Sequence, residues 1–549
     1  MKKLGMISLA VMTTACGGSE TTSGRITSVS PPPPPVVGTT NTLIFSNVTG
    51  AMGLSHKSEF SAAYDEMPRH FAGGAAAGDV DNDGDIDLFI VRGDTQRNLL
   101  YINNGNGFTE APSATNLALP NEGANYKLSG PTFADIDGDG DLDLFVGGLQ
   151  GDPSLVFRNN SNGTFTDVTA GSGFDLMTSK NTISAAFGDY DQDGDLDVAM
   201  AHWGTPRDRL NRGETETLWR NESTASQIKF VAVSQESGIA DELALDLNDG
   251  VLGVDHDYTF APNFSDINGD GYPDLLSVAD FKGSQVFINN QDGTFSNVTD
   301  RSQINDSNGM GTAVGDYDND GDMDWFVSSI DGNRLYENID GTLINVSDTA
   351  GIGPGSWGWG SCFADFDADG HLDIYQTNGW VSNNGGNPNA PYTSDRSRLW
   401  ISDGQKGFSN QADEMGVADM AQGRAVVCAD FDNDRDIDIL LLTSNSDDGA
   451  IYWRNDLQTK NTIKVNLNAQ TVNTQAIGAK IKVRSGNVTQ LREMSIGSNF
   501  ASHNPTEQIF GLGGSDRVED ITIQWPNGTQ TLQMNVRANQ DLIFTSPTD

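Results

Sequence analysis

From about residue 41 the chain alternates short apolar runs with clusters of Asp and Gly, regularly enough to be read as a repeat. Runs such as LFIV, LFVG, VAMA, LLSV, WFVS, IYQT and ILLL have no polar face, so they predict strands buried on both sides. A Gly/Ala-rich strand enters each acidic cluster, as in GGAAAG, ISAAFG and GMGTAVG. A third strand follows each apolar run, with an aromatic residue and, in most copies, Asn: NLLYINN, SLVFRNN, TLWRNES, SQVFINN, RLYENID, RLWISDG and AIYWRND. A fourth strand of FTDVT type closes the unit at Phe165 to Thr169, Phe295 to Thr299 and Leu343 to Ser347. Four strands in each of seven units predict an all-β fold, a seven-bladed β-propeller. FSNVT, Phe45 to Thr49, lies before the first unit, while the seventh lacks a fourth strand of its own. That early strand is expected to complete the last blade and leave no open edge.

The acidic clusters are one nine-residue phrase written seven times. Oxygen-bearing side chains stand at positions 1, 3, 5 and 9 of every copy. They are Asp79, Asp81, Asp83 and Asp87; Asp135, Asp137, Asp139 and Asp143; Asp189, Asp191, Asp193 and Asp197; and Asp266, Asn268, Asp270 and Asp274. The last three copies supply Asp316, Asp318, Asp320 and Asp324; Asp365, Asp367, Asp369 and Asp373; and Asp430, Asp432, Asp434 and Asp438. Gly holds position 6 in all but the seventh copy, which has Arg435. A hard cation such as Ca²⁺ needs six to eight oxygens gathered by a sharply turning chain, so up to seven Ca²⁺ are expected. Backbone carbonyls at position 7 would add a ligand each, from Asp85, Asp141, Asp195, Tyr272, Asp322, His371 and Asp436. An EF-hand would close with Glu at position 12 and lie between helices; here position 9 runs straight into a strand. The plainer reading of each phrase is an acidic hairpin turn. Seven copies with one carboxylate spacing weigh against it.

Charge narrows the partners. The net charge is −44, and two Lys, Lys2 and Lys3, sit ahead of the apolar stretch LGMISLAVM. The acidic balance excludes nucleic acid, and a membrane is expected only through a lipid. Residues 1–16 read as a lipoprotein-type signal ending at Cys16, with Thr13 where such signals usually carry Leu; a plain secretory signal is the alternative. Residues 17–42 read as a Pro/Ser/Thr/Gly-rich tether with a stiff spacer at Pro31 to Pro35. The propeller is placed at 43–458 and a small β domain, with strands IKVNL, AKIKVR, EDITIQW and TLQMNV, at 459–549. An exported protein is implied, at the outer membrane or cell surface, or else periplasmic or secreted. Cys362 and Cys428 occupy equivalent strands of neighbouring units; a disulfide and two separate buried thiols are both open.

These phrases resemble the FG-GAP or VCBS repeats of integrin α-subunit propellers. The tail, with Ile477-Gly478-Ala479, Phe510-Gly511-Leu512-Gly513 and Trp525-Pro526-Asn527-Gly528, resembles the ASPIC/UnbV domain. Together they resemble bacterial relatives of the cartilage acidic protein family. The resemblance implies integrin-α-like calcium loops and a role in adhesion or recognition of an extracellular protein or glycan. It implies no reaction. Asn268 at position 3 and Arg435 at position 6 depart from the pattern.

No GxSxG, HExxH, phosphate loop or CxxC is present, so no catalytic residue is assigned. His202 and His256 are the best candidates for proton transfer, against the reading of hydrogen-bonded or solvated histidines. Trp203, Trp357, Trp359 and Trp380 could stack on sugars or partner side chains, or SWGWGS could be a core strand. Insertions between Asp189 and Asp266 and after Trp380 are expected as loops that carry binding. Recognition is the primary reading; an exported enzyme or accessory subunit on polysaccharide, and a structural envelope protein, are the alternatives.

Overall fold

The computed structural model describes residues 45–61, 70, 72–111, 117, 125–207, 213–224, 226–240, 256–330, 332–353, 355–380, 392–443, 449–457, 461–497 and 499–547. The expected signal and tether, and most of the two insertions, lie outside these residues. Strands Gly74–Gly78, Asp87–Val91, Leu99–Asn103 and Phe108–Glu110 pair in that order into an antiparallel sheet, with the Gly/Ala strand innermost. The same succession recurs, and the described residues contain seven such four-stranded sheets; the first is widened by one short parallel strand described below. In the last, Phe45–Asn47 is the outer strand, with Phe45 opposite Asn455. The stray FSNVT segment therefore closes the ring.

Successive residues of a strand point to opposite faces, and here both faces meet a neighbouring sheet. Ala76, Phe89 and Val91 of the first sheet pack on Phe133, Leu144 and Val146 of the second. On the other side, Ala75, Leu88 and Ile90 pack on Val427, Leu440 and Tyr452 of the seventh. This explains runs without polar alternation. Cys362 and Cys428 face each other within the cluster between sheets six and seven and form a disulfide, with Cα atoms 6.6 Å apart. Of the two readings of these cysteines, the bridge is the one the structure holds.

The Asn of the third strand stitches neighbouring sheets together. The backbone N–H groups of Asn103, Asn159, Asn221, Asn289, Asn338 and Asn455 each donate to their own position-9 Asp at 2.8 Å. Their side-chain amides donate to the position-2 carbonyl of the preceding sheet, for instance Asn221 to Ile136 at 3.0 Å and Asn103 to Phe431 at 2.7 Å. Ser402 takes this place in the sixth sheet and supplies only the backbone bond to Asp373. Replacing Asn221, 2% exposed, by Ala strips the buried Ile136 and Leu196 carbonyls of a donor. Such a loss costs about 1–3 kcal/mol, so the urea midpoint should fall with the slope unchanged.

The C-terminal domain has two sheets, one built on Thr462–Asn468 and one on Lys480–Ser485, around a core of Ile463, Val483, Phe510, Ile521 and Trp525. It shares one compact unit with the propeller, Asn41–Asp549. A stretch around Ile496 to Asn504 enters the ring and touches inner strands on several sides. Ser502–His503 pairs in parallel with Gly74–Gly78. Ile496 bridges to Phe187, the Asn499 carbonyl accepts from Thr312 N–H, and the Asn499 amide donates to Val426 O. Phe500 is fully buried against Phe260 and Trp359. This plug accounts for two of the glycines of the inner strands. A Cβ on Gly74, whose φ is +121°, would collide with the Ala501 carbonyl, and one on Gly311 with the Asn499 carbonyl.

Candidate functional site

Each acidic phrase joins an inner strand to the second strand, so all seven loops emerge at one end of the ring. In the first loop the Asp79 carboxylate accepts from the N–H groups of Asp83 and Gly84 at 3.0 and 2.9 Å, and Asp83 accepts from Asp85 at 2.9 Å. Asp87, fully buried, accepts from Val80 and Asn103. The chain turns twice through positive φ, at position 4 (Asn82, 60°) and position 6 (Gly84, 95°). Position 4 is left-handed in every copy, including Gln192, Ala368 and Asn433, and Arg435 takes 70° where the other copies have Gly.

These turns aim carboxylates at one another. One oxygen from each of Asp79, Asp81 and Asp87 lies within 4.8 Å of the others, as do the sets Asp135, Asp137, Asp143; Asp189, Asp191, Asp197; Asp316, Asp318, Asp320; and Asp365, Asp367, Asp373. Burial, and then the neighbouring carboxylates, push Asp189 up to about 7 and Asp365 to about 8. Burial likewise raises Asp87 to about 8 and Asp324 to about 9, against their backbone hydrogen bonds. Buried oxygens Oδ1 of Asp137, Asp189, Asp191 and Asp195 have no hydrogen-bond donor. A hard divalent cation would supply what these groups lack, so the donor set fits Ca²⁺.

Position-7 side chains serve another end. Asn82 donates to Asp141 at 2.8 Å, Asn433 to Asp85, and Asn319 pairs with the His371 ring at 3.0 Å, each reaching from position 4 of one loop to position 7 of the next. Their role as ligands would rest on backbone carbonyls alone.

The C-terminal domain lies over this loop end. Thr474 donates to Asp135, Gly511 N–H donates to Asp365 at 3.1 Å, and Arg435 pairs with Asp541 at 2.6 Å. Lys480 Nζ sits 2.7 Å from Asp266, and Lys464 Nζ 2.8 Å from Asp430 and 3.1 Å from Glu507. None of these partners was visible in the sequence. Both lysines alternate with apolar residues in IKVNL and AKIKVR, a pattern that reads as an ordinary strand with a wet face.

The opposite end is aromatic. Trp357 precedes the inner strand Gly358–Ala364, and Trp380 follows Asp373–Asn378, so both lie away from the loops. Their half-buried rings stack in parallel at 4.4 Å, with Tyr392 edge-on to Trp357 at 5.2 Å. Trp203, also half-buried, stacks on Phe260 at 5.7 Å and donates to Asp280 at 3.3 Å. Trp359 is buried, its indole bound to the Gly379 carbonyl, and it belongs to the core as a strand residue. The Arg424 guanidinium lies 4.4 Å over the Trp359 ring and donates to backbone carbonyls of His70 and Gly379; burial lowers its pKa to about 9. His202 is fully buried between Thr182 and the Glu216 carbonyl, and burial holds its pKa down, so it is a core histidine with no route to a substrate. His256 stacks on Tyr258 at 5.6 Å in a two-stranded ladder with Thr205–Pro206.

Residues 79–146, 135–200, 266–327 and 320–375 match the family model of the FG-GAP-like repeat, and residues 469–549 that of ASPIC and UnbV. Cartilage acidic protein 1 of Xenopus tropicalis is 26% identical over 338 residues, 56% of this chain and 47% of its own length. The chain thus spans about half the length of the curated relative it matches. Among solved structures, an Agrocybe aegerita lectin specific for non-reducing terminal N-acetylglucosamine is 15% identical, covering 70% of this chain and 89% of its own, with a TM-score of 0.38. The six-bladed Aleuria aurantia lectin is 10% identical over 62% of this chain and 94% of its own, at a TM-score of 0.30. Bacillus licheniformis rhamnogalacturonan lyase is 13% identical over 70% of this chain and 71% of its own, at 0.34.

Proposed function

Because the chain carries FG-GAP repeats joined to an ASPIC/UnbV domain and is a distant relative of cartilage acidic protein, we propose that it is a calcium-binding recognition protein of the cell surface. The observation that carries the calcium reading is the convergence of loop carboxylates within 4.8 Å, with buried oxygens that lack a donor. Position 1, 3, 5 and 9 side chains and the position-7 carbonyls would hold the ions. Bound calcium supplies positive charge that the loops do not have; the chain itself fixes where each carboxylate points.

Recognition falls to the aromatic end. The loop end is covered by the C-terminal domain and the channel is filled by its plug, whereas among the described residues Trp357, Trp380, Tyr392 and Trp203 are half-buried rings at the other end. Such rings suit the apolar face of a sugar or a partner side chain. A lipid on Cys16 and the tether of residues 17–42 would hold the body off the membrane after export. Binding to glycan and protein arrays in calcium should return a saturable ligand, and Trp380→Ala should weaken it about tenfold or more with the melting curve retained. An array without any saturable ligand, probed with folded protein, would remove this reading. A second reading, cleavage of polysaccharide, is favoured by Asp280, which lies beside Trp203 and is raised to about 6 by burial. Formation of shortened sugar products would establish it.

A further inference from the structure

Two of the seven loops differ from the rest in what already neutralises them. In loop four, Lys480 Nζ lies 2.7 Å from Asp266 Oδ2, its side chain only 16% exposed. Position 3 of that loop is Asn268, and its amide, together with that of Gln291, donates to Asp270 Oδ2 at 2.9 and 3.0 Å. Loop seven shows the same device with different residues. Lys464 Nζ lies 2.8 Å from Asp430 Oδ2 and 3.1 Å from the Asn433 side-chain oxygen, with 6% of its side chain exposed. Arg435 pairs with Asp541 and Arg454 with Asp456, so the Lys464 ammonium is the cation seated on the first-position carboxylate. Among the described residues the first-position carboxylates of loops two and six pair with no ammonium; Asp135 takes the Thr474 hydroxyl and Asp365 the Gly511 N–H, and the buried Arg492 guanidinium acts on Asp365 and Asp316 through its charge without an ion pair.

We propose that loops four and seven are closed by ammonium groups of the C-terminal domain in place of calcium, so that the protein binds five calcium ions and not seven. The inference rests on the calcium reading above. An ammonium held beside the first ligand repels a divalent ion; Lys464 is too buried to retreat into water, and Lys480 is held half-buried between Asp266 and Glu493. Lys406, which reaches Asp318 of loop five, is a different case, because its side chain is 47% exposed and can swing into solvent. The two closed loops then act as fixed clamps for the C-terminal domain, independent of calcium, while the other five carry the ion-dependent part of the fold.

The test is a count of Ca²⁺ per full chain by metal analysis after dialysis against low micromolar calcium, on the natural protein and on Lys464→Met, Lys480→Met and the double variant. Five ions in the natural protein, six in each single variant and seven in the double variant are expected, with Lys480→Arg remaining at five. Six or seven ions in the natural protein overturn the proposal, and that count stands even if the variants do not fold. Five in the natural protein and five in a folded double variant also overturn it, since something other than the lysines would then close the loops. No ions at all would instead remove the calcium reading itself.

Discussion

Chelating calcium should lower the melting temperature of the protein by roughly 7–10 °C. Carboxylates about 4 Å apart repel by about 4 kcal/mol per pair at an effective dielectric near 20. Five of the loops gather at least three of them within 4.8 Å of one another. An ion held at about tenfold above its dissociation constant returns about 1.4 kcal/mol by linkage, so five to seven ions return about 7–10 kcal/mol. A body of about 500 residues has an unfolding entropy near 1 kcal/mol per degree, which converts that sum into the stated shift. Differential scanning calorimetry with calcium and with chelator reads it directly. An unchanged transition would mean that the loops are acidic turns held by their own backbone N–H groups.

The second large effect belongs to the plug. Phe500→Ala should destabilise the protein by about 3–5 kcal/mol, because a fully buried ring between Phe260 and Trp359 is replaced by a cavity at the centre of the ring. Gly74→Val should act at least as strongly by another route, since its side chain would occupy the position of the Ala501 carbonyl and expel the strand pairing at Ser502–His503. Urea unfolding measures both. If the plug alone is displaced, limited proteolysis should cut near residues 494–504 before the sheets unfold; a variant cut no faster than the natural protein would show the plug to be inessential.

The sheets were legible because their signal is local. Apolar runs entered from an acidic phrase recur often enough to fix strand order, and FSNVT at Phe45 announced the closure by being displaced from the unit it belongs to. Position 6 of the loops was legible as Gly; position 4 was not, because Asn82, Gln192, Ala368 and Asn433 share a left-handed backbone without sharing a residue type. The Gly/Ala strands were read as strands, yet the glycine at Gly74 answers to Ala501, more than four hundred positions away, and no periodicity encodes that. Lys464 and Lys480 were hidden for the same reason: a polar position on an alternating strand looks identical whether it faces water or a carboxylate of another domain. Of the two readings of His202 the hydrogen-bonded one holds, a choice the sequence left open because residue type says nothing of burial.

The pairing of Phe45–Asn47 with the last sheet sets a timetable for biosynthesis. Ser46 bonds to Asp456, 410 positions later, so the first strand made has no partner until nearly the whole body has been translated. At about 5–20 residues per second, that is a wait of roughly 20–80 s with the ring open. The plug is made later still, and it can only be received by sheets already standing. Nascent chains stalled before residue 455 should therefore be unclosed arrays with exposed strand edges, and resistance to proteases should appear only after the chain has passed the plug at Ser502–His503.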